Sequence, residues 1–482
     1  MSGSILSKIK LPHVFVLITM VIFACSVATY LLPSGQFQRE TKEIEGSKRT
    51  VVVPGTYASV EKHMSVRGLF LDDHEEGKAS PTSFHAFVSA VPRGMQEAAG
   101  IIFFIFIIGG AFGILERTGV ITATIHLLLY HLEDRAPALT GVIMLVIAIA
   151  GSTLGMGEEF IPLVPVFLVV AQRLGYDRIY GMAMVIVAAQ VGFAAATTNP
   201  FTLGVAQGVA ELTYTSGWEF RTVFFVVCIG IAITYLLWYG HRIKKDPSLS
   251  YLADEPEPET AYQAESETFT GRHAAILISG VIIFGMIVTA TVQLGWWFAE
   301  MSGGFFFLGI LAAWLGKLKT QDACAAFVKG MEGMVVAALV VGFAKGIEVV
   351  LSDAMVLDTI IYYATDVLRE VPQFVAVQGM LLFQTLLNFL IPSGSGQAAV
   401  TMPLMAPIAD VLGITRQTAV FAFQCGDGFS NLVIPTSGIL MSMLALARIP
   451  YQKWLRFMLP LLCILMLVSA IFLTIAVVTN YS

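Results

Sequence analysis

Charged side chains are scarce in this sequence. Asp, Glu, Lys and Arg make up 13% of it, against about 25% in ordinary soluble domains. A large soluble domain with a wet, charged surface is therefore excluded. Cysteine is also sparse. Cys25, Cys228, Cys324, Cys425 and Cys463 are scattered, four of them inside apolar runs, with no C-x-x-C pair. Neither a disulfide framework nor a thiolate metal site is expected. No basic stretch interleaved with aromatics occurs, so nucleic acid is not expected as a partner. No histidine stands beside a serine or cysteine in a way that suggests a nucleophile.

Apolar residues are abundant, at 56% of the chain, with a mean hydropathy of +0.77. Apolar runs long enough to cross a bilayer core, about 20 residues, recur at 11–32, 220–240, 272–295 and 457–479. The first has the Lys8-Ile9-Lys10 flank of a signal peptide. It is too long for one, and no small-x-small cleavage site follows, so it reads as a retained span. The fold class expected is an all-α polytopic membrane protein embedded in a lipid bilayer.

Basic residues in short loops orient such a chain. Lys8 and Lys10 place the N-terminus in the cytoplasm. Arg242, Lys244 and Lys245, then Lys317 and Lys319, then Arg448, Lys453 and Arg456 mark further cytoplasmic loops. The loops near 214–219 and 296–302 carry neither Lys nor Arg and are placed outside, as is the C-terminus. Segment 33–85 is an extracytoplasmic loop, with short strands suggested near Thr50-Val51-Val52-Val53. Residues 241–271, acidic and Pro-containing from 246 (Asp254-Glu255-Pro256-Glu257-Pro258-Glu259), read as a disordered cytoplasmic linker.

One passage occurs twice. Gly151-Ser152-Thr153-Leu154-Gly155-Met156-Gly157-Glu158-Glu159 interrupts an apolar stretch, Leu174-Gly175 follows, and the next stretch breaks at Thr197-Thr198-Asn199-Pro200. In the second half Pro392-Ser393-Gly394-Ser395-Gly396-Gln397 interrupts, Leu412-Gly413 follows, and breaks are expected at Gly426-Asp427-Gly428-Phe429-Ser430-Asn431 and at Pro435-Thr436-Ser437-Gly438. Upstream, Arg93-Gly94-Met95-Gln96 matches Lys329-Gly330-Met331-Glu332, and Gly109-x-Ala111-x-Gly113 matches Gly342-x-Ala344-x-Gly346. The charge scheme puts the first copy of this upstream motif outside and the second inside. Two inverted-topology repeats are therefore expected, 86–240 and 321–482. Each has a re-entrant hairpin (137–173 and 371–412) and a broken helix (179–213 and 416–447), with 1–32 as first span and 272–320 opening the second half. The first hairpin opens from the cytoplasm, with Arg135, Arg173 and Arg178 at its feet. The second opens from outside.

Paired interruptions of this kind point to the central binding site of a secondary transporter, since freed backbone at membrane depth survives only beside protein or a wet cavity. Helix N-termini at the tips suit a carboxylate, and unwound carbonyls suit a cation. Candidate ligands for substrate are Ser152, Thr153, Gly155, Gly157, Thr197, Thr198, Asn199, Ser393, Gly394, Ser395, Gln397, Ser430, Asn431, Thr436 and Ser437. Carboxylates at membrane depth are a functional signal by default, which adds Glu158, Glu159 and Asp427. They can bind a substrate's cationic group, a coupling sodium ion or a proton. Glu158, Asn199, Asp427 and Asn431 are the candidates for the coupling ion, and no cofactor beyond sodium is expected. No Lys or Arg falls in the clusters, which disfavours a polyanion. Lys345 and Glu348, three apart in an apolar helix, can pair on one face. Trp218, Trp296 and Trp297 fall where an interfacial belt belongs. A membrane-embedded enzyme is disfavoured. Cys425-Gly426-Asp427-Gly428 resembles an aspartyl-protease motif, but no partner aspartate is evident. A channel is disfavoured because polar residues concentrate in clusters instead of lining a continuous path.

The motifs Gly155-Met156-Gly157-Glu158-Glu159, Thr197-Thr198-Asn199-Pro200 and Gly426-Asp427-Gly428-Phe429-Ser430-Asn431 resemble the YfcC branch of the DcuC dicarboxylate-carrier family, in the ion transporter superfamily. The resemblance covers nearly the whole chain. It implies a scaffold that forms a homodimer and a transport part that moves by an elevator motion in the bacterial inner membrane. The scaffold would be 11–32, 86–132, 220–240 and their counterparts. Members move dicarboxylates, basic amino acids or other small carboxylates, coupled to sodium or protons or by exchange. Better-understood superfamily members carry Ser-Asn-Thr at both tips. Here Asn199 and Asn431 sit in the broken helices, and Glu158 and Glu159 would repel a dianion unless protonated or sodium-bound. Basic amino acid uptake or antiport is the reading expected, with a sodium-coupled dicarboxylate transporter as the alternative.

Overall fold

The computed structural model describes residues 14–44, 47–124, 136–213, 216–255, 269–294, 296 and 298–482. Lys8, Lys10, Glu133-Asp134-Arg135, Trp297 and residues 256–268 of the acidic linker lie outside them. The described chain is mostly helical. Among the described residues, five helices are long and apolar enough to cross a membrane, or six if the pair Thr320–Gly333 and Ala338–Asp353, bent by 40°, counts as one span.

Helix α1 (Val14–Leu31) enters a small lobe of strands β1 (Ser34–Gln36), β2 (Arg39–Ile44), β3 (Ser47–Val52) and β4 (Ala58–Val60), with helix α2 (Val66–Phe70). β1 pairs with β4 and β2 with β3, all antiparallel. Then come α3 (Phe84–Glu97), α4 (Ala99–Arg117), α5 (Ala136–Leu154), α6 (Val164–Arg173), α7 (Arg178–Ala194), α8 (Val205–Val209) and α9 (Trp218–Lys245). The connecting pair α10 (Gly271–Leu294) and α11 (Phe298–Leu315) follows. The order then returns: α12 (Thr320–Gly333), α13 (Val335–Asp353), α14 (Leu357–Arg369), α15 (Gln373–Asn388), α16 (Gly394–Leu412), α17 (Arg416–Ser430), α18 (Gly438–Ala447) and α19 (Tyr451–Val478). Punctuation repeats too. α6 and α16 end on left-handed Gly175 (φ +78°) and Gly413 (φ +69°). In each, the next amide closes the turn, Tyr176 N–H donating to Ala171 O and Ile414 N–H to Ala409 O, both at 2.8 Å, as glycine at a helix C-terminus does.

Packing is reciprocal between the halves. α3 lies along α13, and α12 along α4. A Cβ on Gly94 would meet the Gly342 carbonyl at 2.4 Å and Gly346 N at 2.6 Å, while Gly346 faces Ala90. A Cβ on Gly113 would meet the Ala326 carbonyl at 2.3 Å, and Gly109 lies against Gly330 and Met334. Numbers rise along one helix as they fall along its partner, so both crossings are antiparallel. Small residues allow that approach, as is usual where membrane helices meet.

Two large hydrophobic clusters form among the described residues. The smaller joins α4, α10 and α11 through Phe104, Ile108, Ile287, Phe305 and Leu308. The larger unites α1, α3 and part of α4 with α5 to α9 and α13 to α19. α9 packs on α5 and α7, so 220–240 sits with the first hairpin and broken helix, whereas the sequence reading grouped it with the scaffold. Three other readings need correction. α17 runs unbroken through Gly426-Asp427-Gly428 to Ser430. A Cβ at Gly426 would meet the Leu381 carbonyl at 2.9 Å, and one at Gly428 would meet Ala194 Cα at 2.3 Å. These glycines admit close neighbours and do not break the helix. Likewise Gly151 to Leu154 continue α5, and the first break begins at Gly155. The start of the linker is folded: Leu252 is buried, Ser250 Oγ donates to Asp177 at 2.6 Å, and Lys453 pairs with Asp254.

The lobe sits on the second half. Gly35 N–H donates to Met355 O at 2.9 Å. Asp358 accepts from Phe37 N–H at 3.0 Å and from Arg39 at 2.7 Å. Val51 packs with Ala399 of α16 and Val209 of α8.

Candidate functional site

Each break has the same accounting problem: helix carbonyls released inside a buried region need donors. In the first, Ala194 and Ala196 accept from Gln424 Nε2 at 3.0 and 2.9 Å. Thr197 O accepts from Arg221 at 3.3 Å. In the second, Asp427 O accepts from Asn388 at 2.8 Å, Leu432 O from Trp454 at 2.8 Å and Val433 O from Tyr451 at 2.5 Å. Side chains thus hold both breaks open, and these carbonyls are occupied. The sequence reading had offered them to a cation.

The tips pack onto the breaks of their own half. Ser152 O accepts from Thr197 and Thr198 N–H at 3.1 and 3.2 Å, and Ser152 Oγ accepts from Thr197 N–H at 3.0 Å. Thr198 Oγ1 donates to Thr153 O at 3.4 Å, and Thr153 Oγ1 to Ile149 O at 2.7 Å. Asn199 Oδ1 accepts from Phe201 N–H at 2.8 Å, capping the π-helical turn Pro200–Gly204. Gly155 has φ +67°, and a Cβ there would meet Asn199 Oδ1 at 2.3 Å, so only glycine serves. In the second half Asn388 Nδ2 donates to Ser430 Oγ at 2.7 Å and Asn431 Oδ1 at 3.1 Å. Ser393 Oγ caps α16, accepting from Gly396 N–H at 3.3 Å. Gln397 turns away, donating to Gln384 Oε1 at 2.7 Å.

Between these elements lies a cavity of about 290 Å³. From the predicted set it brings together Gly155, Glu158, Glu159, Ser393, Gly394, Ser395, Asn431, Thr436 and Ser437. Ser152, Thr153, Gly157, Thr197, Thr198, Asn199, Gln397, Asp427 and Ser430 are not in its lining. Gly157 N–H instead holds Glu159 Oε2 at 2.9 Å. Asp427, 1% exposed, lies directly behind Gly394: a Cβ on that glycine would sit 2.8 Å from Asp427 Oδ2 and 2.3 Å from Thr202 Cγ2. Asp427 Oδ1, Thr202 Oγ1, Asn199 Nδ2 and Thr436 Oγ1 are buried without a partner among the described residues. Such orphaned polar atoms call for an explanation, an ion or water among them.

Four carboxylates, of Glu97, Glu158, Glu159 and Glu348, face the cavity with one ammonium, of Lys345. Lys345 lies outside the sequence clusters but in this lining. Among the described residues, no three or more His, Cys, Asp or Glu side chains converge to hold a metal ion. Sequence reasoning missed Arg221, Gln384, Asn388, Thr202 and Gln424. Arg221, 0% exposed, also donates to Ser216 O at 2.7 Å and Tyr481 Oη at 2.8 Å. A polar residue inside an apolar helix was the available signal.

Apolar helices in a repeated order, enclosing an acidic cavity between paired interruptions, define a multi-pass membrane transporter. Residues 11–478 match the DcuC family, described as C4-dicarboxylate anaerobic carrier, and the chain belongs to that family. It is 34% identical to a protein of Escherichia coli (strain K12) named "Putative basic amino acid antiporter YfcC", covering 96% of this chain and 95% of the relative. It is 30% identical to an uncharacterized protein of Haemophilus influenzae, covering 89% and 82%. Among solved structures it is similar to the YdaH transporter of Alcanivorax borkumensis (TM-score 0.45, 16% identity, 98% of this chain and 99% of that one). MtrF of Neisseria gonorrhoeae is similar to the same degree (TM-score 0.44, 16% identity, 97% and 96%).

Proposed function

We propose that this chain is a secondary transporter of amino acids with a cationic side chain, acting in uptake or antiport across the bacterial inner membrane. One observation carries the reading: Glu158 and Glu159 stand side by side on a largely apolar cavity. Adjacent carboxylates in such a place are costly unless a cation joins them, and an ammonium or guanidinium does so. Phe193, Phe201 and Ile439 in the same lining suit the methylene stem of that side chain. The name of the Escherichia coli relative agrees.

Asp427 and Thr202 are read as the seat of the coupling cation, a sodium ion or a proton, because both side chains lie against Gly394 and each carries a buried oxygen with no partner among the described residues. Asn199, whose Oδ1 accepts from Thr202 N–H, and Asn431, whose Nδ2 donates to Asp427 O, are read with them. The halves 86–240 and 321–482 are read as inverted repeats, supported by the antiparallel crossings of α3 with α13 and α12 with α4. The hairpins 137–173 and 371–412 and broken helices 179–213 and 416–447 would form the moving part of an elevator, against a scaffold that dimerises. The N-terminus would be cytoplasmic and the C-terminus extracytoplasmic.

Proteoliposome exchange of labelled arginine and lysine tests the function. Wild type should exchange both, a Glu158→Gln/Glu159→Gln variant neither. Asp427→Asn should keep substrate binding and lose its dependence on sodium or a proton gradient. No movement of any basic amino acid by wild type would refute the reading. Sodium-coupled dicarboxylate transport is the second reading. The family's description and Lys345 in the cavity favour it, and succinate uptake in the same vesicles would establish it.

A further inference from the structure

The wall that α13 gives to the cavity carries an ion pair of its own. Lys345 Nζ lies 2.7 Å from Glu348 Oε2, one turn along the helix, and 3.8 Å from Glu97 Oε2 of α3. The two side chains are 27% and 23% exposed, and both line the cavity that Glu158 and Glu159 line. An ammonium has three donors and a carboxylate about four acceptor positions, so their mutual contact leaves each with capacity for a further partner.

An amino acid carries its α-ammonium and α-carboxylate on one carbon. Its head is a short, fixed dipole of the same kind as the Lys345 and Glu348 pair. Two such dipoles laid head to tail bring each charge against its opposite, and the four charges sum to zero. A free carboxylate or a free amine lacks that balance and leaves one member of the wall pair facing a like charge or nothing.

We infer that Lys345 and Glu348 are the receptor for the zwitterionic head of the substrate, Lys345 taking the α-carboxylate and Glu348 the α-ammonium. This rests on the reading of Glu158 and Glu159 as the seat of the side-chain cation. The substrate then bridges the cavity, its head on α13 and its distal charge on the tip between α5 and α6. The cavity reads three charges in one arrangement, and that selects basic amino acids over diamines, ω-amino acids and dicarboxylates. The first turn of α16 is the competing seat for a carboxylate, and the test separates the two.

The test is calorimetric titration of the full-length protein in detergent at pH 7 with lysine, cadaverine (no carboxylate), 6-aminohexanoate (no α-ammonium) and succinate. Wild type should bind lysine at least tenfold tighter than cadaverine or 6-aminohexanoate. Lys345→Met should weaken lysine tenfold or more without weakening cadaverine, whose ammonium no longer competes with the Lys345 ammonium at Glu348, so that their ratio collapses. Glu348→Gln should collapse the ratio of lysine to 6-aminohexanoate, an independent arm if Lys345→Met does not fold. If wild type prefers lysine and both variants keep its ratios, the head is read elsewhere, at α16, and this inference alone falls. Loss of all ligands in equal proportion also overturns it, since the pair is then structural. If wild type binds succinate and none of the amines, the proposed function falls with it.

Discussion

Gln424 offers the most quantitative test of how the first break is held. Its amide reaches from α17 to the end of α7 and donates to two released carbonyls, Ala194 O at 3.0 Å and Ala196 O at 2.9 Å. The side chain is 2% exposed, so water does not replace it. Gln424→Leu keeps the volume and removes both donors. A buried carbonyl left without a partner costs about 1–3 kcal/mol, while hydrogen bonds between membrane helices average about 0.6 kcal/mol with a maximum near about 1.7. Two lost bonds together come to about 1–4 kcal/mol on those figures. At about 2 °C per kcal/mol, the low end for larger domains, the apparent Tm should fall by roughly 2–8 °C. Gln424→Glu keeps the shape but sets a carboxylate against two carbonyls, and should fall further. Thermal unfolding of detergent-purified protein, followed by loss of the monodisperse peak, measures both. An apparent Tm for Gln424→Leu within about 1 °C of wild type would refute the claim that this amide holds the break.

Two further outcomes are expected. Gly428→Ala places a Cβ 2.3 Å from Ala194 Cα, backbone that cannot yield, and should abolish exchange and lower the yield of folded protein. Gly413→Ala, with open space around it but φ +69°, should lower stability by only about 1 kcal/mol; equal damage from both in exchange assays and thermal unfolding would show that the close approach is not what matters. In the lobe, the Ser83 hydroxyl and then His85 hold the Asp72 carboxyl below its ordinary value. A depressed carboxyl stabilises the fold above its unfolded pKa, about 4, and that contribution is lost as pH falls through the folded value. Hydrogen-exchange protection of residues 58–83, relative to the intrinsic rate at each pH, should therefore fall below about pH 4 and respond less in Asp72→Asn; an identical acid response in that variant would contradict the assignment.

Punctuation carried much of the architecture in plain sight. Leu174-Gly175 and Leu412-Gly413 end matching helices because a left-handed residue after a helix demands glycine, and Asn199 and Ser393 cap because their side chains accept from freed amides. Gly426 and Gly428 misled because glycine breaks one helix and admits a neighbour to another with the same letter; the difference lies in Leu381 and Ala194, distant in sequence. Gln384, Asn388 and Gln424 look like isolated polar residues in apolar helices, and what they serve is unreadable until the released carbonyls have positions. Arg221 follows the start of α9 by three residues and so reads as interfacial, yet it is fully buried against Thr197 and Tyr481. The convergence of Glu158, Glu159 and Lys345 on one cavity depends on packing between halves, which no local spacing encodes.

The reciprocal glycine crossings bear on how the protein is made. When the first half leaves the ribosome, the groove of α4 at Gly109, Gly110 and Gly113 has no occupant, because Phe327, Gly330 and Met334 are not yet synthesised. α3 likewise presents Gly94 with nothing against it until Gly342 and Gly346 arrive. Each half is thus the assembly template of the other, and insertion of the early helices has to leave them mobile in the lipid until the late ones dock. Chains severed in the 256–268 linker and co-expressed should find one another through these crossings, while either piece expressed alone should be degraded faster.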